Sequence, residues 1–281
     1  MGKRNFSKDE NDFKDVMSVN NINNNVSEIQ NFKQDIASIL KNDIKIIAKN
    51  DSQKNLINSI KNNEITICAG HPGSGKTFLA VAYALNLLRN KSNKFKKIYL
   101  VKSVTPLKGE EIGFIKGNWA EKIEPFMWSY CINIEKLILK STLNYLLDKD
   151  YIKPFPLTYM RGASLDDCII IADEFQNVSM TNSRTLMTRI GSNCKLIILG
   201  DYNQIDLKEK NESSLHTLIE IFKDIDNIGV IEMNKSDANI RNPLIDIIET
   251  KFNEIDEKNK NKKIRKIPII PADELKFDNV V

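Results

Sequence analysis

The sequence predicts an α/β domain, a mostly parallel sheet with helices on both faces, and three observations carry that prediction. Short apolar runs recur at 65–69 (ITICA), 97–102 (KIYLVK), 168–173 (CIIIAD), 195–201 (KLIILGD) and 228–233 (IGVIEM). Segments of helical character lie before the first run, after it, and between the last three. Strands that are apolar on both sides and alternate with helices imply a parallel sheet covered on both faces. Finally, a glycine-rich loop joins the first run to a long helical pattern.

In order, SQKNLINSIKN at 52–62 places Leu56, Ile57 and Ile60 at helical spacing, which predicts a helix ahead of the strand ITICA. TFLAVAYALNLL follows the glycines and continues the helical pattern. NSRTLMTRIG and SSLHTLIEIFKDI supply helical segments between the later strands. We place a single domain at about 45–255. Residues 1–44, rich in Asn, Asp and Lys and including NNINNN, read as a flexible arm with a possible helix, and 256–281, charge-rich and containing Pro268 and Pro271, as a tail.

Composition narrows the function classes. The chain has 281 residues, 41% of them hydrophobic, enough for a sizeable core. Its 41 Lys and Arg against 37 Asp and Glu leave a net charge of +4, too small by itself to imply nucleic-acid or membrane affinity. No run approaches the roughly 18 apolar residues of a membrane helix, so no membrane partner is expected. Cys68, Cys131, Cys168 and Cys194 lie far apart in sequence and read as reduced, mostly buried thiols of a cytoplasmic protein.

The loop Gly70-His71-Pro72-Gly73-Ser74-Gly75-Lys76-Thr77 satisfies G-x-x-x-x-G-K-[ST]. Glycines let successive backbone N–H groups turn inward on one anion, and the start of the next helix adds its unpaired N–H groups and dipole to the same field. Lys76 should reach the β- and γ-phosphates of a nucleotide, and the Thr77 hydroxyl should complete a Mg²⁺ shell. With Phe78, these residues form the expected nucleotide-binding set; the competing reading is a plain glycine turn with an incidental lysine.

A phosphate cradle of this type needs an acidic residue at a neighbouring strand end, where ligands of such sheets bind. Asp173-Glu174 in CIIIADEF fills that place. Asp173 would orient Mg²⁺ and Glu174 would act as general base on the attacking water; the bland alternative is a capping pair at a strand exit. The run at 195–201 leads into Gly200-Asp201-Tyr202-Asn203-Gln204, and Gln204 is a candidate γ-phosphate sensor. Phosphoryl transfer also calls for a cation against the charge developing on the γ-phosphate. Arg241 is the first candidate and Arg189 the alternative.

With these residues placed, the chain resembles the PhoH-like ATPases, P-loop proteins related to the motor core of superfamily one helicases. The resemblance runs from Gln53 to Ile248 and includes GEEIGF at 109–114, EKIEPF at 121–126, PLTYMRG at 156–162, ADEFQN at 172–177, TRIG at 188–191 and GDYNQIDL at 200–207. It implies a P-loop NTPase fold of RecA type, ATP hydrolysis with Mg²⁺, association with nucleic acid, RNA above all, and a hexameric ring of identical chains. Gln53 stands where related helicases carry a glutamine on the adenine edge; a surface polar residue is the other reading. Lys102-Ser103 replaces a usual Arg-Pro, Phe175 a usual Ala and Asn242 a usual His. Some relatives carry an N-terminal nuclease domain, for which the first 50 residues are too short, so no ribonuclease activity of that type is expected.

For single-stranded nucleic acid the candidate contacts are Lys102, Ser103, Thr105, Lys108, Lys116 and Arg161, with Trp119, Phe126 and Trp128 as stacking faces and KNKNKKIRK at 258–266 as a flexible basic segment. Three functions remain in view: an ATP hydrolase acting on nucleic acid, a regulatory nucleotide-binding module for protein partners with little turnover, and a small-molecule phosphotransferase, which a water-activating Glu174 disfavours.

Overall fold

The computed structural model describes residues 35–40, 43–92, 94–102, 119–157, 160, 162, 164–207, 210–233 and parts of 244–258, with backbone alone at 119–126 and 210. The chain divides into two compact units, Met1–Ala238 and Asn239–Val281. In the second, the described residues between 244 and 258 are helical.

In the first unit, helix α1 (Asp51–Asn62) starts at Asn50, whose side-chain oxygen accepts the Gln53 N–H at 2.9 Å, a side-chain N-cap. There follow β1 (Ile65–Gly70), α2 (Lys76–Arg89), β2 (Lys97–Lys102), α3 (Trp119–Glu135), α4 (Lys140–Asp148), β3 (Ile152–Pro154), β4 (Cys168–Asp173), α5 (Met180–Met187), β5 (Cys194–Gly200), α6 (Leu215–Phe222) and β6 (Ile228–Met233). All five apolar runs are strands. The sequence reading did not identify α3, α4 or β3. The last is only three residues long and ends in Pro154, which lacks the N–H a central strand would need, so it closes one edge of the sheet.

The six strands run in the order β3-β2-β4-β5-β1-β6, and every neighbouring pair is parallel. Alternation along each strand divides the core. On one face, Cys68, Leu100, Ile169, Ile171 and Leu199 pack with Leu56 of α1, Leu85 of α2, Tyr130 of α3 and Leu146 of α4. On the other, Ile67, Val101, Ile170, Ala172 and Ile198 pack with Leu186 of α5 and Leu215 and Leu218 of α6. Strands covered on both faces have no solvent side to make polar, which is why their sequences read as continuous apolar runs. One strand, β5, separates the loop strand β1 from the acidic strand β4. This is a P-loop NTPase fold of RecA type, and the α/β expectation is met.

Residues 35–40 fall inside the expected arm yet belong to the core. Ile36 and Leu40, one helical turn apart, are buried in the first cluster. Arg89 donates to the Leu40 carbonyl, and the Asn86 carboxamide pairs with both backbone groups of Ile44 at 2.8 Å. Composition hid this because the Asn-rich context outweighed a single short apolar pair.

Three of the four thiols are buried, and Cys168 and Cys194 face each other across the β4–β5 pair with sulfurs 3.6 Å apart, a proximity their 26-residue separation did not suggest. Burial pushes the Cys68 thiol up to about 12, so it stays protonated at neutral pH.

Helix α1 lies close against β6 because Gly229 presents no side chain there: a Cβ would sit 2.0 Å from Ser59 Oγ and 2.4 Å from Asn63 Nδ2. Gly229→Ala is therefore expected to cost about 1–3 kcal/mol, as overpacking does. Urea denaturation should report a lower midpoint with an unchanged m-value.

Candidate active site

Strand β1 delivers the loop and α2 receives it. Gly73 and Gly75 take φ values of 82° and 86°, a left-handed conformation that a Cβ disfavours. Gly75 is also the N-cap of α2, so it supplies no side-chain acceptor and leaves first-turn N–H groups for a ligand. Lys76 is 9% exposed and donates to the carbonyls of Gly70 (2.6 Å) and His71 (2.9 Å) and to Ser74 Oγ (3.3 Å). The loop thus holds its own ammonium with acceptors that phosphate oxygens can replace.

Gln53 is buried, so it is not a surface residue. Its Oε1 accepts the Lys49 N–H at 2.8 Å and its Nε2 donates to the Ser74 carbonyl at 2.9 Å. The amide fastens the start of α1 to the phosphate loop. A Cβ on Gly75 would lie 3.0 Å from that same Nε2, so glycine and glutamine share one tight space.

Asp173 ends β4 next to this loop. Its Oδ2 accepts the Thr77 hydroxyl at 2.7 Å, and its Oδ1 accepts the Glu174 N–H at 2.9 Å. It is 8% exposed. Burial first and the Glu174 charge second push its pKa above the ordinary carboxylate value, outweighing the Thr77 and Glu174 N–H bonds and the Lys76 charge. A buried carboxylate with a hydroxyl beside it and too little positive charge is a hard-oxygen site, and it fits Mg²⁺. Glu174 has φ 55° and ψ 37°, a left-handed conformation costing about 1 kcal/mol or more, of a kind that collects at functional sites.

The turn after β5 is tied to the turn after β4. Gln176, fully buried, donates through Nε2 to Glu174 Oε2 (2.8 Å) and to the Gln204 carbonyl (3.1 Å), while its Oε1 accepts the Asp201 N–H (3.0 Å). Asn177 and Asp206 add a reciprocal pair, Nδ2 to Oδ2 at 3.2 Å and N to Oδ1 at 2.7 Å. Asn203 Nδ2 lies 3.3 Å from His71 Nδ1 and so joins the second turn to the phosphate loop. The Gln204 side chain itself is exposed. Asp201 is 4% exposed; its Oδ1 accepts the Asn203 N–H at 2.9 Å, and its Oδ2 has no partner among the described residues. Sequence reading missed Gln176, Asn177, Asp201 and Asp206 as site residues. ADEFQN and GDYNQIDL contain them, but their pairing is visible only once β4 and β5 lie side by side.

The remaining candidates divide. Lys102 stands in register with Asp173 and donates to Ser129 Oγ at 3.1 Å, and Trp128, the residue before Ser129, is 71% exposed. Arg189 follows α5 and precedes β5, hence it sits at the amino end of the sheet, opposite to Lys76, with its Nε buried and unpartnered among the described residues. Arg241, Ser103, Thr105, Lys108, Lys116 and Arg161 lie outside the described residues, as do the side chains of Trp119 and Phe126 and the basic segment beyond Lys258.

A family profile described as PhoH-like protein matches residues 45–253. The PhoH-like protein of Bacillus subtilis (strain 168) is 34% identical over 200 residues, which covers 71% of this chain and 61% of the relative. That of Synechocystis sp. is 32% identical over 198 residues, 70% and 59% of the two chains. Protein PhoH of Escherichia coli is 28% identical over 195 residues, 69% and 54%. The match thus spans little more than half the length of these relatives. Among solved structures, the large terminase of a thermophilic bacteriophage in complex with ADP aligns with a TM-score of 0.39 at 10% identity, covering 69% of this chain and 48% of that one. The Pif1 helicase of Candida albicans aligns with a TM-score of 0.32 at 15% identity, covering 67% and 40%.

Because the Asp173 carboxylate is held buried against its own solvation, Asp173→Asn should raise the melting temperature of the ligand-free protein by roughly 2–4 °C for each ~1 kcal/mol relieved. The same change should remove most of the Mg²⁺-dependent stabilisation by an ATP analogue. Thermal melts with and without Mg²⁺ and the analogue read both effects.

Proposed function

The chain belongs to the PhoH-like protein family, and from that premise we propose that it binds ATP with Mg²⁺ and hydrolyses it, coupling the cycle to single-stranded nucleic acid, RNA in preference to DNA. The observation that carries the nucleotide reading is the 2.7 Å bond from Thr77 Oγ1 to Asp173 Oδ2, which joins the helix after the phosphate loop to the acidic strand across 96 residues of sequence.

In this reading Lys76 leaves the Gly70 and His71 carbonyls and meets the β- and γ-phosphates, while the N–H groups of Gly73 through Thr77 take the remaining oxygens. Mg²⁺, held by Thr77 Oγ1 and the Asp173 carboxylate, would neutralise charge on the β- and γ-phosphates. Glu174 accepts a proton from the attacking water as the bond between the γ-phosphorus and the bridging oxygen breaks, giving ADP and phosphate. Gln204 engages the γ-phosphate, His71 and Pro72 form part of the loop, and Phe78 directly follows it. Gln53 secures the base of the cradle through the Lys49 N–H and the Ser74 carbonyl, and a role on the adenine edge requires one of those two bonds to open.

Nucleic-acid coupling is supported by Lys102, in register with Asp173, and by exposed Trp128, next in sequence to the Ser129 that Lys102 bonds: an ammonium for backbone phosphate and an aromatic face for a base. We further propose a ring of identical chains, hexameric, in which Arg241 of one chain meets the γ-phosphate held by the next; the position of Arg189 at the far end of the sheet favours Arg241. No described helix is long and apolar enough to cross a membrane, and the working compartment is proposed to be the cytoplasm.

Glu174→Gln should retain ATP binding, measured by calorimetry with Mg²⁺, and lose turnover by about 10²-fold or more. Parent turnover should rise with single-stranded RNA at fixed low salt, and a rate unchanged by RNA or DNA would remove the coupling. Mixing Arg241→Ala with Glu174→Gln chains should recover part of the hydrolysis that neither variant performs alone, whereas additive inactivity would place the finger elsewhere.

A further inference from the structure

We propose that Gln176 is a positioning residue that holds the Glu174 carboxylate for the attacking water and couples it to the turn carrying Gln204. The inference rests on the base role given to Glu174 above and adds a device by which occupancy of the γ-phosphate site reaches that base.

The carboxamide has three polar functions facing three different places. One N–H goes to Glu174 Oε2 at 2.8 Å, the other to the Gln204 carbonyl at 3.1 Å, and Oε1 takes the Asp201 N–H at 3.0 Å. A buried glutamine needed only for the fold could be satisfied by backbone groups alone. Here one donor is committed to a carboxylate at the mouth of the site, and Gln176 is the hydrogen-bond partner of that carboxylate among the described residues. The bond occupies one oxygen and leaves the other for a water. Since Gln176 is 0% exposed, it has no route to the nucleotide and acts through Glu174.

The amide cannot reorient freely. It packs where Gly200 lacks a side chain: a Cβ there would lie 3.0 Å from Gln176 Oε1 and 3.2 Å from its backbone nitrogen. Its backbone belongs to the short 3-10 turn Phe175–Asn177, which Asn177 pins to Asp206. The bond to the Gln204 carbonyl is already near the long end of the useful range, so a shift of roughly 0.5 Å in that turn breaks it. Engagement of γ-phosphate by the Gln204 side chain moves or steadies the same main-chain carbonyl, and one amide passes the change to the base. A placement error near 1 Å at a reacting group costs about 10²-fold in rate.

The test uses the full chain with Gln176→Met, which keeps bulk and removes all three bonds, and Gln176→Glu, which keeps length and the acceptor for Asp201 while removing both donors. Each is made in the parent and in the Glu174→Gln background. ATP affinity is read by calorimetry and hydrolysis by single-turnover release of labelled phosphate. In the parent background turnover should fall about 30- to 100-fold with ATP affinity within about threefold. In the Glu174→Gln background the further loss should be under about twofold, because the residue through which Gln176 acts is already gone. Equal losses in both backgrounds would mark a role in the fold alone and overturn the proposal, as would turnover within about threefold of the parent. If Gln176→Met does not fold, Gln176→Glu decides by the same criteria. Parent-level turnover by Glu174→Gln would remove the base assignment itself, and the coupling with it.

Discussion

A buried carboxylate that the protein alone does not compensate organises this molecule. Asp173 sits at the carboxyl end of β4, 8% exposed, with the Thr77 hydroxyl and the Glu174 N–H as its hydrogen-bond donors and Lys76 close enough to lower its pKa but turned toward the loop carbonyls. Keeping an anion there is costly, since removing it from water is offset only by neighbours that bind it. The sheet accepts that cost because both faces of β4 are covered by apolar layers, which fix the strand end with little freedom. What the site gains is a preformed pair of hard oxygens beside a helix start that no side chain caps.

Neutral amides do the fastening around this charged centre. Gln53 ties α1 to the phosphate loop, Gln176 ties the acidic turn to the turn after β5, and Asn177 doubles that tie. A carboxamide both donates and accepts and carries no charge of its own, so it can cross-link turns around Asp173 without adding charge. Where the cross-links approach closely, glycine stands opposite: Gly75 faces Gln53 and Gly200 faces Gln176. The glycines of this site therefore serve two purposes, conformation at Gly73 and Gly75 and space at Gly75 and Gly200.

The turn after β5 is held by its backbone while Gln204 keeps an exposed side chain. That combination suits a sensor, since an exposed amide can follow a ligand while its main chain reports the movement inward. The bond from Asn203 toward His71 adds a second route, directly to the phosphate loop. Asp201, buried with one oxygen unpartnered among the described residues, lies at the junction of these routes.

The sequence alone determined five of the six strands and marked the loop between β1 and α2 as a candidate nucleotide site. Strands β2, β4 and β6 fall on the apolar runs read from it, and Gly70 to Thr77 carry the pattern of a phosphate-binding loop in the sequence itself, because backbone conformation and local spacing are properties of neighbours in the chain. It also singled out Asp173 and Glu174, since an acidic pair ending an apolar strand is a local signal. Tertiary structure decided what depends on strand order: that β5 lies between β1 and β4, that Gln176 reaches from Glu174 to Gln204 and Asp201, that Gln53 is buried beneath the loop, and that Ile36 and Leu40 join the core. These pairings join residues separated by tens of positions, and a neutral amide or a short apolar pair carries no mark in sequence of which distant backbone group it will meet.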